Sequence, residues 1–245
     1  MKPVMKGLIC LIAVSAIAPQ SAFAIEETIQ FDTSKIKSIK VNNGAGDLQV
    51  GVTSGPTTVT FVKPGSDDHC VTSAELVDSV LIIESGSKAP DLNYHPCFTQ
   101  IRVKGPKNVA LRINNGSSNI EINDTAGSIE YQNGSGNIRI NAEITELQGR
   151  AGSGNLWAVG LIGNADIRSG SGEIALRFDQ CPDHGRVNLR TGSGNATIGL
   201  PHYSTVLAEF WAGSGELINE FPPSADPKIR ISMRTGSGNL LIRRN

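Results

Sequence analysis

The segment Gly134-Ser135-Gly136-Asn137-Ile138-Arg139-Ile140 decides the fold, because close copies of it recur along the chain. Each copy has Gly, then Ala or Ser, then Gly or Ser, then Asp, Asn or Glu, and usually an apolar pair separated by one residue. Eight copies begin at Gly44, Gly116, Gly134, Gly152, Gly170, Gly192, Gly213 and Gly236, with spacings of 72, 18, 18, 18, 22, 21 and 23 residues. The first spacing is four times 18 and leaves room for about three degenerate copies.

A second apolar pair precedes each glycine cluster, as Ile129 and Tyr131 precede Gly134. Both pairs alternate with polar residues, and this period of two is typical of short β-strands with one buried face. The glycines between them allow backbone conformations that other residues resist. Each copy therefore predicts a strand, a tight bend and a second strand.

Two architectures fit this unit. The bend could be a hairpin in an antiparallel meander, or it could be a corner of a parallel β-helix in which each unit forms one rung. The units are equivalent position by position, and stacking them about 4.8 Å apart would place Ile on Ile and Gly on Gly. We therefore predict an all-β, single-stranded parallel β-helix, or β-solenoid, with rungs of 18–23 residues.

Residues 1–24 have the features of a secretory signal peptide. Lys2 and Lys6 precede an apolar stretch, and Ala22-Phe23-Ala24 has the small-residue pattern of a cleavage site. The sequence thus predicts an exported protein of the periplasm or cell surface, without a transmembrane segment after cleavage. Residues 25–245 are expected to form one solenoid domain, with irregular N-terminal rungs over 51–108 and regular rungs over 109–245.

Composition excludes some classes of protein. The chain has 245 residues, 27 of them Gly, and its formal net charge is −1. A near-neutral charge argues against a nucleic-acid partner bound through bulk positive charge. No apolar run reaches the roughly 20 residues that a membrane-spanning helix needs.

Three cysteines follow the predicted signal peptide. Cys70 and Cys97 lie in neighbouring loops of the irregular region and are the expected disulfide pair in an oxidising compartment. Cys181 would lie about 20 Å further along a solenoid, beyond the reach of a disulfide, and is expected to be a free thiol. A weaker alternative is a zinc or copper site formed by His69, Cys70, His95 and Cys97. We expect no metal and no cofactor.

An outward-facing column is the candidate binding surface. Two residues before each first Gly, it contains Asn42, Asn114, Gln132, Arg150, Arg168, Arg190, Trp211 and Arg234. Stacked arginines repel one another unless an anion lies across them, and guanidinium groups suit carboxylate or phosphate. We predict ligand contacts at Arg150, Arg168, Arg190, Trp211 and Arg234, with Trp157 as a further exposed aromatic side chain. The alternative is a solvated face whose arginines pair with nearby carboxylates.

The repeats also carry a resemblance to a known family. Ile101-Arg102-Val103-Lys104-Gly105-Pro106, the Gly-Ser-Gly-Asn-Ile copies and Ile198-Gly199-Leu200-Pro201 resemble a bacterial family of secreted β-solenoids, provisionally named adhesins and of unknown function. The likeness spans residues 36–245, with mostly Asn where the family has Asp. It implies the solenoid fold and a binding role, and it brings no catalytic residues.

The sequence therefore predicts a non-catalytic, adhesin-like binding protein of the envelope or surface, whose partner is an anionic polysaccharide, lipopolysaccharide or other envelope component. A polysaccharide-active β-helix enzyme is one alternative, although Asp166, Arg168 and Glu173 are the nearest approach to the carboxylate cluster that such chemistry needs. A structural envelope protein without a specific ligand is the other. The chain stops directly after its last copy, at Leu240–Asn245, without a visible cap. Either self-association through this solenoid end or its protection by the charges of Arg243 and Arg244 is therefore expected.

Overall fold

The computed structural model describes residues 24–64, 70–87 and 97–245, and these form an all-β protein. The predicted signal peptide lies outside the described residues, except for Ala24. The strands are β1 (Ala24–Phe31), β2 (Ser38–Ala45), β3 (Leu48–Val52), β4 (Thr57–Pro64), β5 (Cys70–Val77), β6 (Val80–Ser87), β7 (Gln100–Gly105), β8 (Ala110–Ser117), β9 (Ile120–Ser135), β10 (Ile138–Ser153), β11 (Leu156–Ser171), β12 (Ile174–Phe178), β13 (Gly185–Ser193), β14 (Ala196–Leu200), β15 (Val206–Ser214), β16 (Leu217–Asn219), β17 (Ile229–Ser237) and β18 (Leu240–Arg244). A 3-10 turn covers Thr33–Lys35. Within the described residues, no helix is long and apolar enough to cross a membrane.

The central strands pair in parallel, each with its equivalent in the next copy of the repeat. Ile120 lies beside Ile138, and Ile138 beside Leu156, so β9, β10 and β11 are offset by 18 residues. The predicted equivalence of the copies is thus observed as hydrogen-bonded register. We refer to each copy by its first glycine, as the Gly134 repeat for example.

The spatial order of the repeats departs from the chain order at both ends. The Gly44 repeat lies directly against the Gly116 repeat, since β2 pairs with β8 and β3 with β9. The 72 residues between these two copies in sequence, which leave room for about three degenerate copies, therefore do not separate the two repeats in space. The intervening chain instead continues the stack on the other side of the Gly44 repeat, where β6 pairs with β2 and β7 with β3.

At the other end, the C-terminal repeat is inserted between two earlier ones. Strand β17 lies between β13 and β15, and β18 lies between β14 and β16. The last stretch, Leu240–Asn245, was expected at an uncapped end, and this placement is wrong. Within the described residues, β15 and β16 of the Gly213 repeat form that edge of the sheet.

The N-terminal region contains antiparallel strands that the regular repeats lack. Strand β4 runs antiparallel to both β1 and β7, and β5 runs antiparallel to β6. The predicted disulfide joins Cys70 and Cys97, with a Cα–Cα distance of 5.3 Å. The irregular stretch 51–108 thus combines two parallel strands, β6 and β7, with two antiparallel ones, β4 and β5.

The core is a set of apolar columns that run perpendicular to the strands. One column consists of Ile101, Leu48, Ile120, Ile138, Leu156, Ile174, Ala196 and Leu240, and all eight side chains are at most 4% exposed. Another contains Tyr131 beside Gly149. A Cβ on Gly149 would collide with the Tyr131 ring, so the missing side chain provides the space that the ring fills.

Each bend is stabilised by a ladder of hydrogen bonds from backbone to side chain. In the column formed by the Asp, Asn or Glu of each copy, Asn137, Asn155 and Glu173 donate their backbone N–H groups to the Oδ1 of Asn119, Asn137 and Asn155, at 2.8–3.2 Å. The ladder starts where Asn119 donates to Asp47 at 3.0 Å. These residues satisfy the bend's backbone donors, as expected for Asn and Asp at turns.

Candidate functional site

A long open groove follows the bends along the central repeats. It has a volume of about 760 Å³. Its lining comes from three neighbouring columns, represented in the Gly152 repeat by Arg150, Ala151 and Gly152. The same columns line it from the Gly116 repeat to the Gly192 repeat.

The floor of the groove consists of the first glycine of each repeat. A Cβ on Gly134, Gly152 or Gly170 would lie less than 3 Å from the carbonyl oxygen of the glycine one repeat earlier. The stacking of the strands therefore excludes a side chain at this column. A column without side chains beside a column of long ones leaves a depression, and this is the origin of the groove.

The wall of the groove, from Asn114 to Arg190, belongs to the outward column predicted from the sequence. In space it runs through Glu84, Asn42, Asn114, Gln132, Arg150, Arg168, Arg190, Arg234 and Trp211. The inserted C-terminal repeat places Arg234 directly beside Arg190 and moves Trp211 to the end. The four arginines therefore form an uninterrupted run, which we call the arginine column. At about 4.8 Å per strand, it is about 14 Å long.

Most of this positive charge lacks a nearby carboxylate partner. Arg168 Nε lies 3.8 Å from Asp166 Oδ1, and both side chains are about half exposed. Within the described ranges, Arg150, Arg190 and Arg234 form no ion pair. Their neighbours in the next outward column are Gln148, Asn188 and Ser232, which are uncharged. The same column also contains Glu130, which is bound to Arg112 at 2.8 Å, and Glu209, which lies beside Ser232 and forms no ion pair in the described residues.

Trp211 ends the column as an exposed aromatic surface. Its side chain is 47% exposed, and the guanidinium of Arg234 lies 4.9 Å from its ring centroid. The contact is a cation–π interaction that holds Arg234 at the end of the run. One face of the indole is thus occupied by a residue of the same column.

Trp157 is not part of this surface. It lies after the glycine bend, on the opposite strand of its repeat, where it is half-buried with Arg139 5.2 Å from its ring centroid. The sequence grouped Trp157 with the arginines because both face outward. Because the glycine bend separates their two strands, Trp157 and the arginines lie on different surfaces of the protein.

The alternative sites gain little from the structure. The lining of the groove contains no carboxylate. Asp166 is paired with Arg168, and Glu173 lies in the bend column, where its backbone N–H donates to Asn155. Cys70 and Cys97 share a disulfide, so neither offers a thiolate to a metal, and His69 and His95 lie outside the described residues. No cluster of three metal-ligating side chains occurs in the described part of the chain.

Cys181 is a half-buried free thiol whose Sγ lies 3.8 Å from the Pro182 carbonyl oxygen.

The glycine floor was the feature of the site that sequence reasoning missed. The sequence assigns the glycines only to bends. Its one further signal is that two glycines recur in most copies, whereas in the structure the positive φ of the bend falls on the second, as at Gly136 and Gly154. The first glycine serves a different purpose, close stacking, and the groove results from it.

Comparison with known proteins gives low similarity. No protein-family model matches the chain, and no curated protein matches it significantly. Among solved structures, a provisionally named adhesin from Bacteroides fragilis has 13% identity and a TM-score of 0.47, over 92% of this chain and 98% of that one. A provisionally named lipid-binding protein from Parabacteroides distasonis has 16% identity and a TM-score of 0.47, over 90% and 96%. A provisionally named cell adhesion protein from Clostridium sporogenes has 14% identity and a TM-score of 0.42, over 91% and 100%. These values are too low to establish a shared function.

Proposed function

We propose that this chain is an exported, non-catalytic binding protein of the bacterial envelope, folded as a parallel β-solenoid, that holds an anionic polysaccharide against the arginine column. The single observation that carries the proposal is the run of four stacked arginines, of which Arg150, Arg168 and Arg190 line an open groove. Three of the four form no ion pair in the described residues. The parallel offset of 18 residues and the apolar columns support the solenoid.

Stacking like charges along the arginine column has an electrostatic cost. Guanidinium groups one strand apart repel one another, and carboxylate neighbours would be the simplest relief on a purely solvated face. Of the four arginines, Arg168 alone forms such an ion pair within the described residues. An extended anion lying in the groove would relieve the repulsion at every step of the run, with bidentate contacts that suit carboxylate or phosphate.

The shape of the site favours a chain-like ligand. The groove is open, and the same three columns line it from the Gly116 repeat to the Gly192 repeat, so successive sugars would meet a repeating backbone. Glycine at the floor lets a ligand approach the backbone closely. Trp211 offers an apolar ring at the end of the run, on which a sugar face can stack.

The experiment measures binding of the protein without residues 1–24 to oligogalacturonate, to a de-acylated phosphorylated lipopolysaccharide inner core, and to neutral dextran. We expect binding to an anionic probe that weakens about tenfold between 50 and 300 mM NaCl, because exposed charges are screened by salt. The test variant changes Arg150, Arg168 and Arg190 to Gln. The matched control changes Arg139, Arg177 and Arg243 to Gln, which removes the same charge from the strands beyond the bend.

Loss of binding in the first variant and its retention in the second would support the site. Equal loss in both would show that only net charge matters. If the wild-type protein binds neither anionic probe while its circular dichroism and melting are those of a folded protein, the proposal is wrong. The arginine column would then be a solvated face of a structural protein.

A further inference from the structure

The groove continues beyond the arginine column. A second depression of about 420 Å³ begins at Asn114, which it shares with the main groove, and extends over Asn42 and Gly44 toward Glu84. Its floor is the same glycine column, since Gly44 lies beside Gly116 and close to Gly86. One extended molecule could therefore lie in both parts.

The chemistry of the wall changes along the groove, while the glycine floor continues. In the half toward the N-terminal region, the wall consists of Asn42, Asn114 and Gln132, which we call the amide column. These side chains carry no charge, and each offers both a hydrogen-bond donor and an acceptor. Sugar hydroxyls need both, whereas an anion needs only donors.

Two members of the amide column are free to bind. Asn114 and Gln132 are exposed, and within the described residues their side chains take part in no hydrogen bond. Asn42 differs, because its Nδ2 donates to Glu84 Oε1 at 3.0 Å. Glu84 thus places a negative charge at the far end of the amide column, where it would repel an anionic segment.

We propose that the groove binds a glycan of two parts, with a charged segment against Arg150, Arg168, Arg190 and Arg234 and a neutral, hydroxyl-rich segment against Asn114 and Gln132. The inference rests on the proposed function and extends it by naming the ligand's composition and direction. Glu84 at one end and the arginines at the other fix that direction. The charged segment lies toward Trp211.

The experiment compares two probes that differ only in the neutral segment. One is the de-acylated lipopolysaccharide core cut back to its phosphorylated inner sugars, and the other is the same core with its neutral outer hexoses. We expect the longer core to bind about tenfold more tightly, as a few neutral hydrogen bonds would provide. Changing Asn114 and Gln132 to Ala should remove this advantage and leave the affinity for the short core unchanged.

The control changes Asn123 and Asn141 to Ala, which removes two neighbouring amides from the strands beyond the bend. This variant should keep the preference for the longer core. Equal affinity of the wild-type protein for the two cores would overturn the inference and leave the arginine site intact, as would an equal weakening of both cores in the Asn114 and Gln132 variant. If neither core binds, the inference is also overturned, and binding of oligogalacturonate then decides whether the proposed function survives alone.

Discussion

The middle of the molecule and its two ends are built from the same repeat but assembled by different rules. From the Gly116 repeat to the Gly192 repeat, each unit stacks on the one before it in the chain. At the N-terminal end, the Gly44 repeat stacks on the Gly116 repeat, which is 72 residues away in sequence. At the C-terminal end, the Gly236 repeat lies between the Gly192 and Gly213 repeats. Equivalent side chains make any two repeats compatible, so the repeat pattern alone does not determine which ones become neighbours.

The largest expected effect comes from the glycine floor. In the middle, a Cβ on Gly152 would lie less than 3 Å from the Gly134 carbonyl oxygen, whereas at the N-terminal end a Cβ on Gly86 would meet nothing within 4 Å. We expect Gly152→Ala to lower the free energy of unfolding by about 3–5 kcal/mol. Gly86→Ala should change it by less than about 0.5 kcal/mol.

Urea denaturation of the two variants measures this difference. Because both glycines belong to the same column, a similar cost at both positions would mean that stacking is as tight at the end as in the middle.

The disulfide gives the next largest effect, and it concerns the N-terminal end. It joins residues 27 apart and ties β5 to the segment that leads into β7. Changing both Cys70 and Cys97 to Ser should cost about 3 kcal/mol, mainly through the unfolded state. Hydrogen exchange should show the loss of protection in β5 and β6 and not in β10. Cys181→Ser is the control and should leave stability unchanged.

A smaller effect is expected at Tyr131, in the middle. Its hydroxyl is buried and has no hydrogen-bond partner in the described residues. Tyr131→Phe should therefore raise the free energy of unfolding by about 1 kcal/mol, measured in urea. A decrease would show that the hydroxyl has a partner, such as a bound water molecule.

The same side chain predicts a pH dependence. Burial raises the pKa of the Tyr131 hydroxyl well above its usual range. The unfolded chain releases this proton near pH 10 while the folded chain retains it, so its contribution to stability is complete below that pH and is lost as pH rises further. Tyr131→Phe should reduce the loss of stability above pH 10. Identical alkaline transitions in the two proteins would contradict the assignment.

The smallest effect tests the insertion at the C-terminal end. Stacking places Arg234 next to Arg190, while the chain order alone would place Trp211 there. A double-mutant cycle of Arg190→Gln and Arg234→Gln should give a repulsive coupling of about 0.3 kcal/mol that disappears in high salt. A cycle between Arg168 and Arg234, two strands apart, should give a smaller value. Equal couplings would argue against the inserted position.

The sequence by itself determined the repeating part of this protein. Period-two alternation indicates strands with one buried face, and equal spacing puts equivalent residues in register, so the strands, bends and core columns of the middle could be predicted. The Asn column of the bend could be predicted too, because its hydrogen bonds are local to that column. Arg150, Arg168 and Arg190 were placed in one column by the same logic.

Only the tertiary structure decided which repeats are neighbours in space, because the repeat pattern does not determine their order. Interchangeable repeats do not specify their own order, so the contact of the Gly44 repeat with the Gly116 repeat and the position of Arg234 beside Arg190 depend on connections and end strands. The groove also needed three dimensions, because a glycine required for stacking and one required for a bend are identical in sequence. Trp157 was grouped with the arginines for a related reason: alternation shows that a side chain faces outward, and the bend decides which surface it faces.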